Sequence, residues 1–408
     1  MRLRFLITPV PLLLAATAIA STSLTVDTAI ALAKEKNPEL AAARSLIKEA
    51  ETRARTTGRL ANPDLEAELA GGEDFEGRVS IGLTQRFPLT TRLALERKLS
   101  SIDVEAAKLE LRNRERQLAV AVRTAVYELA AARESLAVAR RRTELAEAFT
   151  ASLTTSATEG FGSTLEVQQA TLETQRNRIA EQSFHIDEVE AAARLCKLIS
   201  LPAESSIVIP NLPELPARVP TAQPAGRRAD LELAELACRA GATELSLAKA
   251  TRWEDVGVGL FVEGERFRDE PEGIEPEALV GLRFSVALPF WQNGKGKVSE
   301  KSAAEKQLTQ QLDAVRWSIR NEPLIAHRLM SSHHRSAAFA RDKIVPSARK
   351  LSSDMEAAYL RAEADIQDVF RIRERLAEVE SSALEARKMY FISYSEWLGT
   401  LGEQTPNP

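Results

Sequence analysis

Between Leu93 and Thr158 the sequence runs for 66 residues without a glycine or a proline. Nothing there punctuates the backbone, so the stretch predicts one uninterrupted helix, about 100 Å long at roughly 1.5 Å per residue. A compact globular domain has no use for a helix of that length. Its apolar residues Leu118, Val122, Ala125, Leu129, Ala132, Leu136 and Ala139 step by four and three. That period is the seam of a coiled coil, and the interleaved alanines let partner helices approach closely. By itself the stretch describes a generic coiled coil; what precedes it narrows the reading.

The chain opens Met1-Arg2-Leu3-Arg4, turns apolar from Phe5 to about Ala18, and reaches Ala18-Ile19-Ala20. A basic start, a short apolar run and a small-x-small site predict a cleavable secretory signal over residues 1–20 rather than a membrane anchor. Cleavage would leave Ser21 first, with no cysteine there to carry a lipid. Loss of Arg2 and Arg4 moves the formal charge from −4 to −6, which argues against nucleic acid as a partner. Cys196 and Cys238, the two cysteines, are too few for a disulfide framework. Two readings are open for them: a pair in an oxidising compartment, or free thiols, with Cys196 on an apolar seam formed with Ile186, Val189 and Ala193.

In chain order, residues 24–58 read as helix, capped by Thr25, facing Ile30 and Leu32 inward and broken or kinked at Asn37-Pro38. The period then changes to two. Asp64 to Leu69 alternates polar and apolar, and after a turn around Gly71-Gly72-Glu73-Asp74 the alternation resumes at Arg78. Val79, Ile81, Leu83 and Phe87 take one face; Ser80, Gly82, Thr84 and Arg86 take the other. Each strand is near the length that crosses a bilayer when tilted, and apolar-out with polar-in is the pattern of a barrel strand. Pro88 closes this hairpin, 63–89. The long helix then begins a helical hairpin, 93–200, with its tip at 159–163. Ser163-x-x-Glu166 is a capping box that starts the return helix, which carries Leu172, Ile179, Ile186 and Ala193 at seven-residue steps. Six prolines between 201 and 227 keep that linker extended.

After the linker the same order begins again. A helix runs from Asp230 to about Ala250. A hairpin, 254–290, follows, with alternation at Asp255–Leu260, a polar loop to Pro276, and a second strand. Val280, Leu282, Phe284, Val286 and Leu288 share one face of that strand, and Pro289 ends it. Long helices occupy 297–398, and 399–408 is a polar tail. Asn37-Pro38-Glu39-Leu40 aligns with Arg228-Ala229-Asp230-Leu231, Phe87-Pro88-Leu89 with Leu288-Pro289-Phe290, and Glu166-Val167 with Asp368-Val369. The chain is therefore one unit duplicated, residues 21–200 and 228–398. One chain offers four strands, too few to close a barrel, and open edges are not viable in lipid. Closure needs several chains, and the same assembly would close the helices into a tube.

These phrases resemble the TolC family of outer-membrane efflux proteins. The resemblance is carried by Leu24–Leu40, Asn62-Pro63, Gln85–Leu89, Arg228–Leu231, Ala287–Phe290 and Lys343–Pro346, and spans nearly the whole mature chain. The stretch Ala248–Gly259 is most similar to the heavy-metal branch, CzcC-like or CusC-like. The resemblance implies a mainly α fold with a transmembrane β part: a homotrimer sharing one β-barrel in the outer membrane that continues into a periplasmic α-helical barrel. It implies a passive channel, with no enzymatic activity and no cofactor. The partners it implies are a periplasmic adaptor (membrane-fusion) protein and an inner-membrane pump of RND or ABC type, with outer-membrane lipid around the barrel. The rival reading is a secreted, oligomeric periplasmic coiled-coil scaffold without transport.

By the same resemblance, the helical-hairpin tips would meet the adaptor: Gly160, Phe161 and Gly162 in the first repeat, Tyr359 and Ala362 in the second. Ala362 stands where the family has glycine. Glu166, Asp365 and Asp368 would lie near the periplasmic constriction, where Arg371 replaces a further acid and can pair with Asp368 three residues away. Val79, Ile81, Leu83, Val280, Leu282 and Phe284 would face lipid. Pro323 is expected to kink or break its helix. His327, His333 and His334 follow it, but their spacing matches no metal site and reads as structural. Gly294-Lys295-Gly296-Lys297 lacks phosphate-loop spacing, and no catalytic arrangement has motif support.

Overall fold

The computed structural model describes residues 24–71, 77–160, 163–202, 205, 207–269, 273–290 and 293–402. The export segment 1–20 with Ser21, the turn residues Gly72, Glu73 and Asp74, the tip residues Phe161 and Gly162, and residues 403–408 of the tail lie outside them. Eight α-helices are described: α1 (Val26–Lys36), α2 (Pro38–Thr56), α3 (Arg92–Thr158), α4 (Thr164–Ile199), α5 (Ala229–Ala250), α6 (Lys295–Phe339), α7 (Val345–Leu360) and α8 (Ile366–Leu401). Four strands, β1 (Asp64–Gly71), β2 (Gly77–Phe87), β3 (Val256–Asp269) and β4 (Gly273–Ser285), form one antiparallel sheet in that order. No described helix is long and apolar enough to cross a membrane.

The uninterrupted stretch forms α3, 67 residues in one helix. Its second-repeat counterpart is divided. α6 passes into a π-helical segment, Ala340–Ile344, and then into α7. The cause is Pro346: a proline inside a helix lacks the amide hydrogen for the residue four back and crowds its carbonyl. The chain widens by one residue, and the Val345 amide donates to the Ala340 carbonyl instead. Pro323, by contrast, lies inside α6 without interrupting it. The expected polar loop from 261 to 276 is corrected as well. β3 runs on to Asp269 and β4 begins at Gly273, so most of that stretch pairs as strand, while β4 ends at Ser285 rather than Pro289. Pairing across the hairpin outweighs the low strand propensity of the charged residues in this stretch.

The chain divides into two compact units, and each draws on both sequence repeats. The first comprises residues to Asn37, Leu118–Val219 and Met330–Ser395. Its core is built on the α3 seam: Val122, Ala125, Leu129, Leu136 and Ala139 are buried, with Leu118 and Ala132 half-buried. Leu195 and Ile199 of α4, Val369 of α8 and the aromatic contacts Tyr127–Phe391 and Tyr390–Phe391, each 5.0 Å between ring centroids, complete it. α1 is capped by Thr25, whose hydroxyl accepts from the Thr28 amide at 3.3 Å. It turns Ala29 and Ala33 fully inward, leaving Ile30 and Leu32 half-buried at the flanks.

The seven-step series on α4 does not lie in this core. Leu172, Ile179, Ile186 and Val189 are exposed, Ile179 at 72%. The buried face is instead Ala170, Thr174, Ala191, Leu195, Cys196 and Ile199. Spacing fixes which residues share a helix face; it does not say which way the face points. Both cysteines are free thiols, and burial pushes the Cys196 thiol up.

The proline-rich segment is a strap rather than a slack linker. In the first unit Ile207, Ile209, Leu212 and Leu215 are buried. Side chains answer its carbonyls: Arg133 donates to Ile207 at 2.8 Å, Arg341 to Leu215 at 3.2 Å, and His334 Nε2 lies 2.7 Å from the Pro216 oxygen. In the second unit His327 Nε2 lies 2.8 Å from the Pro220 oxygen. Two of the three histidines after Pro323 thus hold the strap, and among the described residues no group of three potential ligands could hold a metal ion.

The second unit contains Pro38–Gln117, Pro220–Leu329 and the chain from Glu396, and includes the sheet. Ile102 and Leu109 of α3 pack on Leu236 of α5. At the start of α5, Arg228 is 5% exposed. It grips Asp230 with two nitrogens, at 3.1 and 2.5 Å, and Glu322 at 2.5 Å. Burial acts to raise the Asp230 carboxyl, but Arg228 outweighs it and holds the group below the ordinary carboxylate range. For Glu322, burial also raises; the Ser318 hydroxyl and Arg228 together bring it below.

Removing Arg228 would take the closest cation from two carboxylates, leaving Asp230 with Arg116 at 3.8 Å and Glu322 with the Ser318 hydroxyl. Arg228→Ala is expected to destabilise the unit by about 3 kcal/mol, the low end for a broken buried pair because Glu322 is 40% exposed. The stability these acids contribute is full above their ordinary titration range and is lost as pH falls below about 4 toward their depressed folded values. Denaturant unfolding of wild type and variant between pH 3 and 7 checks both points, on the order of one pH unit per step. A loss under about 1 kcal/mol, or an equally steep acid dependence in the variant, would refute the assignment.

Candidate functional site

Two places concentrate the residues singled out above: the sheet in the second unit and the hairpin tips in the first. In an antiparallel sheet, directly opposed residues share a face. The pairing therefore aligns Leu65, Leu83, Leu260 and Leu282 in one row, and Ala67, Ile81, Val262 and Val280 in the next. Val79, Ile81, Leu83, Val280, Leu282 and Phe284 are 48–69% exposed, as are Leu65 and Leu69 beside them at 73% and 80%. The result is a continuous aliphatic face, four strands wide, with no side chain of the described chain packed over it.

The opposite face is polar and cross-linked. Arg283 of β4 reaches Glu66 of β1, Arg86 pairs with Asp64 at 3.2 Å, and Arg78 pairs with Glu263 at 2.9 Å and Glu265 at 3.2 Å. Phe261 and Leu279, which pairs with Glu263, are large apolar residues on this side. Phe261 sits between Gly82 and Gly281, under the Arg283 guanidinium at 5.3 Å. A Cβ at Gly281 would come within 2.5 Å of the Phe261 ring. Gly257 and Gly259 likewise clear Ser285 and Thr84. These glycines make room for neighbouring side chains on the polar face, the Phe261 ring above all. The role of Phe261 was not legible in sequence, because it follows from register and not from spacing along one strand.

At the first tip, α3 ends on Gly160 with φ +85°. Ser163 then caps α4: its hydroxyl accepts from the Leu165 amide at 3.2 Å, and Glu166 accepts from the Ser163 amide at 3.5 Å. At the second tip the Glu363 amide donates to the Ala358 carbonyl and the Ala362 amide to the Tyr359 carbonyl, both at 2.9 Å. That is a Schellman termination, and Ala362 occupies its left-handed position with φ +55°. The alanine therefore makes the turn that glycine makes in the first repeat, at the steric cost of its Cβ.

Asp365 stands before α8, its side chain accepting from the Gln367 amide at 3.4 Å. Asp368 pairs with Arg371 on the next turn. Burial pushes the Tyr359 hydroxyl up, and the charges of Glu166 and Asp365 push it further. The charges of an acid from each repeat are thus both felt at Tyr359. Behind it lies a cluster that sequence reading missed. Phe149 meets Tyr359 and Phe370 edge-on, each at 6.1 Å, and Arg373 lies 4.6 Å over its ring while bonded to Glu356 at 2.8 Å. Single aromatics dispersed over three helices leave no periodic signal; the pair most open to detection was Phe149 and Tyr359, each beside a tip.

Ala362→Gly should stabilise the protein by about 1 kcal/mol, since a left-handed alanine costs roughly 1–2 kcal/mol that glycine escapes. Thermal unfolding of the purified protein reads this. A destabilising outcome would mean that Ala362 does not hold the left-handed turn.

Residues 29–200 match the model of the outer membrane efflux protein family. No curated protein sequence matches the chain. In fold it is similar to solved structures of CusC, with 15% identity and a TM-score of 0.75 over 92% of each chain. It is similar to the outer-membrane channel OprN, with 14% identity and a TM-score of 0.74 over 93% of this chain and 90% of that one. It is also similar to the outer membrane protein VceC from Vibrio cholerae, with 16% identity and a TM-score of 0.74 over 92% and 96%. At such identities the likeness is one of fold.

Proposed function

We propose that this chain, a member of the outer membrane efflux protein family by its match over residues 29–200, is the exit duct of a tripartite efflux system: an outer-membrane channel with a long periplasmic helical extension. The observation that carries the reading is the sheet. Its aliphatic face suits hydrocarbon, and its ion-paired face suits a water-filled lumen. A secreted scaffold, the rival reading, would leave the whole aliphatic face in water, which soluble proteins avoid.

The number of copies follows from the edges. β1 pairs with β2 and β4 with β3, so each chain presents two strand edges that lipid does not tolerate unpaired. Three copies joined edge to edge give the twelve-stranded barrel of the family resemblance. The exposed stripe Leu172, Ile179 and Ile186 on α4 supports the same homotrimer, as a seam between neighbouring copies. The tips at Gly160 and Ala362 would dock the periplasmic adaptor, and the acids Glu166, Asp365 and Asp368, with Arg371, would form the constriction. The duct itself is passive; an inner-membrane pump supplies energy and, with the adaptor, selects the cargo. Heavy-metal cations are the cargo class we propose, on the resemblance at Ala248–Gly259. Export by a cleavable signal over residues 1–20 belongs to the same reading.

Ile81→Arg and Leu282→Arg place a charge on the aliphatic face and should each cost about 2–4 kcal/mol of membrane insertion, so that membrane fractions lose the assembled protein. Normal assembly of both would refute the barrel. The constriction is tested in a planar bilayer. Asp368→Asn combined with Glu166→Gln, which keeps the helix cap, should raise passive conductance or weaken cation preference. No change in either would remove these acids from the gate.

A further inference from the structure

Where the sheet gives way to helices, the second unit carries a run of cations without carboxylate partners among the described residues. In the second repeat these are Arg252 at the end of α5 and Lys295 and Lys297 at the start of α6; in the first they are Arg59, Arg97 and Lys98. All six are exposed. The neighbouring acid Asp255 is already engaged by Arg92 at 2.7 Å. In both repeats an arginine lies across a left-handed glycine at this junction. A Cβ on Gly58 would meet Arg97 Cγ at 2.5 Å, and one on Gly294 would meet Arg252 Cγ at 2.7 Å. The Arg252 Nε is fixed to the Asn293 carbonyl at 2.8 Å.

In the second repeat the cations line a groove. One side, with a volume of about 780 Å³, is bounded by Arg252, Lys295 and Lys297 together with Leu288 and Pro289. It continues past Arg252 and Lys295 to Ser299, Ser302 and Lys306. Glu254 is the one acid on its wall. Its apolar wall, Ala287, Leu288 and Pro289, follows β4 in the chain; Leu288 is 54% exposed, and the chain neighbours Trp253 and Phe290 are exposed at 51% and 74%. A basic groove with hydroxyl donors, at the wet end of an apolar wall, matches a molecule that is anionic at its head and aliphatic behind it. The start of the 45-residue α6 adds a positive helix end.

We propose that the Arg252–Lys295–Lys297 groove binds the headgroup phosphate of an anionic phospholipid in the leaflet that meets the helices, with the acyl chains running along the exposed aliphatic face. This rests on the sheet being inserted in a membrane. The lipid would fix the height of the barrel in the bilayer, since three cations per copy lie at one level of the chain.

The full chain, purified and reconstituted in phosphatidylcholine vesicles with or without phosphatidylglycerol, separates the two ideas. Flotation reads insertion; native mass spectrometry after gentle extraction reads bound phosphatidylglycerol. Wild type should float with both vesicle types and retain phosphatidylglycerol over phosphatidylcholine. Arg252→Gln/Lys295→Gln/Lys297→Gln should still float but bind phosphatidylglycerol about a hundredfold more weakly, as roughly 1 kcal/mol per cation requires. Lys295→Arg/Lys297→Arg should bind like wild type. Equal retention of both lipids, unchanged binding in the glutamine variant, or displacement of the lipid by inorganic phosphate at similar concentration would each overturn the headgroup site while leaving the barrel intact. Failure to float in either vesicle would overturn the barrel, and the lipid site with it.

Discussion

A sheet of four strands with one aliphatic face has two problems at once: that face wants no water, and its outer strands have unpaired amides and carbonyls. In water, packing another layer on the face solves the first and charged edges blunt the second. This chain does neither. Rows such as Leu65, Leu83, Leu260 and Leu282 lie open across the full width, while the charges that could blunt edges are spent across the other face, where Arg283 of one edge strand reaches Glu66 of the other. That ion pair spans two intervening strands, which requires a sheet curled toward its polar side. Phe261 and the glycines around it fill the inside of that curl. Curvature, face polarity and open edges are the features that the proposed assembly of several copies would satisfy together.

The helices meet a different constraint. Two repeats of one design must be joined by a chain that runs alongside them without competing for their packing. Six prolines keep the join extended, but prolines also leave carbonyls without the helix or ladder partners they would otherwise have. The answer lies in long side chains from the helices: Arg133, Arg341, His334 and His327 each reach a strap carbonyl. Apolar residues between the prolines, Ile207, Ile209, Leu212 and Leu215, turn into the first unit's core. The histidines are therefore read as fasteners, and their ring contacts, His327 with Trp397 at 5.9 Å and His334 with Tyr390 at 5.4 Å, fix their orientation.

Much of this was legible in the sequence because it is periodic. The seam of α3, the alternation of β2 and the capping box at Ser163 each depend on residues close together in the chain, where spacing decides geometry. The errors lie where geometry depends on residues far apart. The seven-residue series on α4 groups residues that do share exposure, but a heptad says nothing about which neighbour its face meets. The charged stretch after Leu260 was read as loop because its strand character comes from pairing with β4. Pro323 and Pro346 have the same local chemistry, yet one is absorbed and the other forces a π-helical turn. Sequence spacing around the two prolines does not separate these outcomes. At the tips, sequence reading singled out Glu166 and Asp365, but that both act on Tyr359, and that Phe149 and Arg373 lie behind it, needed the fold.

The two repeats have kept their backbone plan while changing how each tip acid is held. Glu166 is bound to its own helix cap through the Ser163 amide, so its position is tied to the existence of α4. Asp368 is held instead by Arg371, a side chain 73% exposed paired with one 40% exposed. Such a pair is worth about 0–1 kcal/mol and is weakened by salt. The same difference appears in the turns: Gly160 takes its left-handed conformation without strain, and Ala362 takes it against its Cβ. Both departures make the second tip the less firmly held of the two. The weaker ion pair lies on α8 and the strained turn joins α7 to it, while Glu166 is tied to the cap of its own helix.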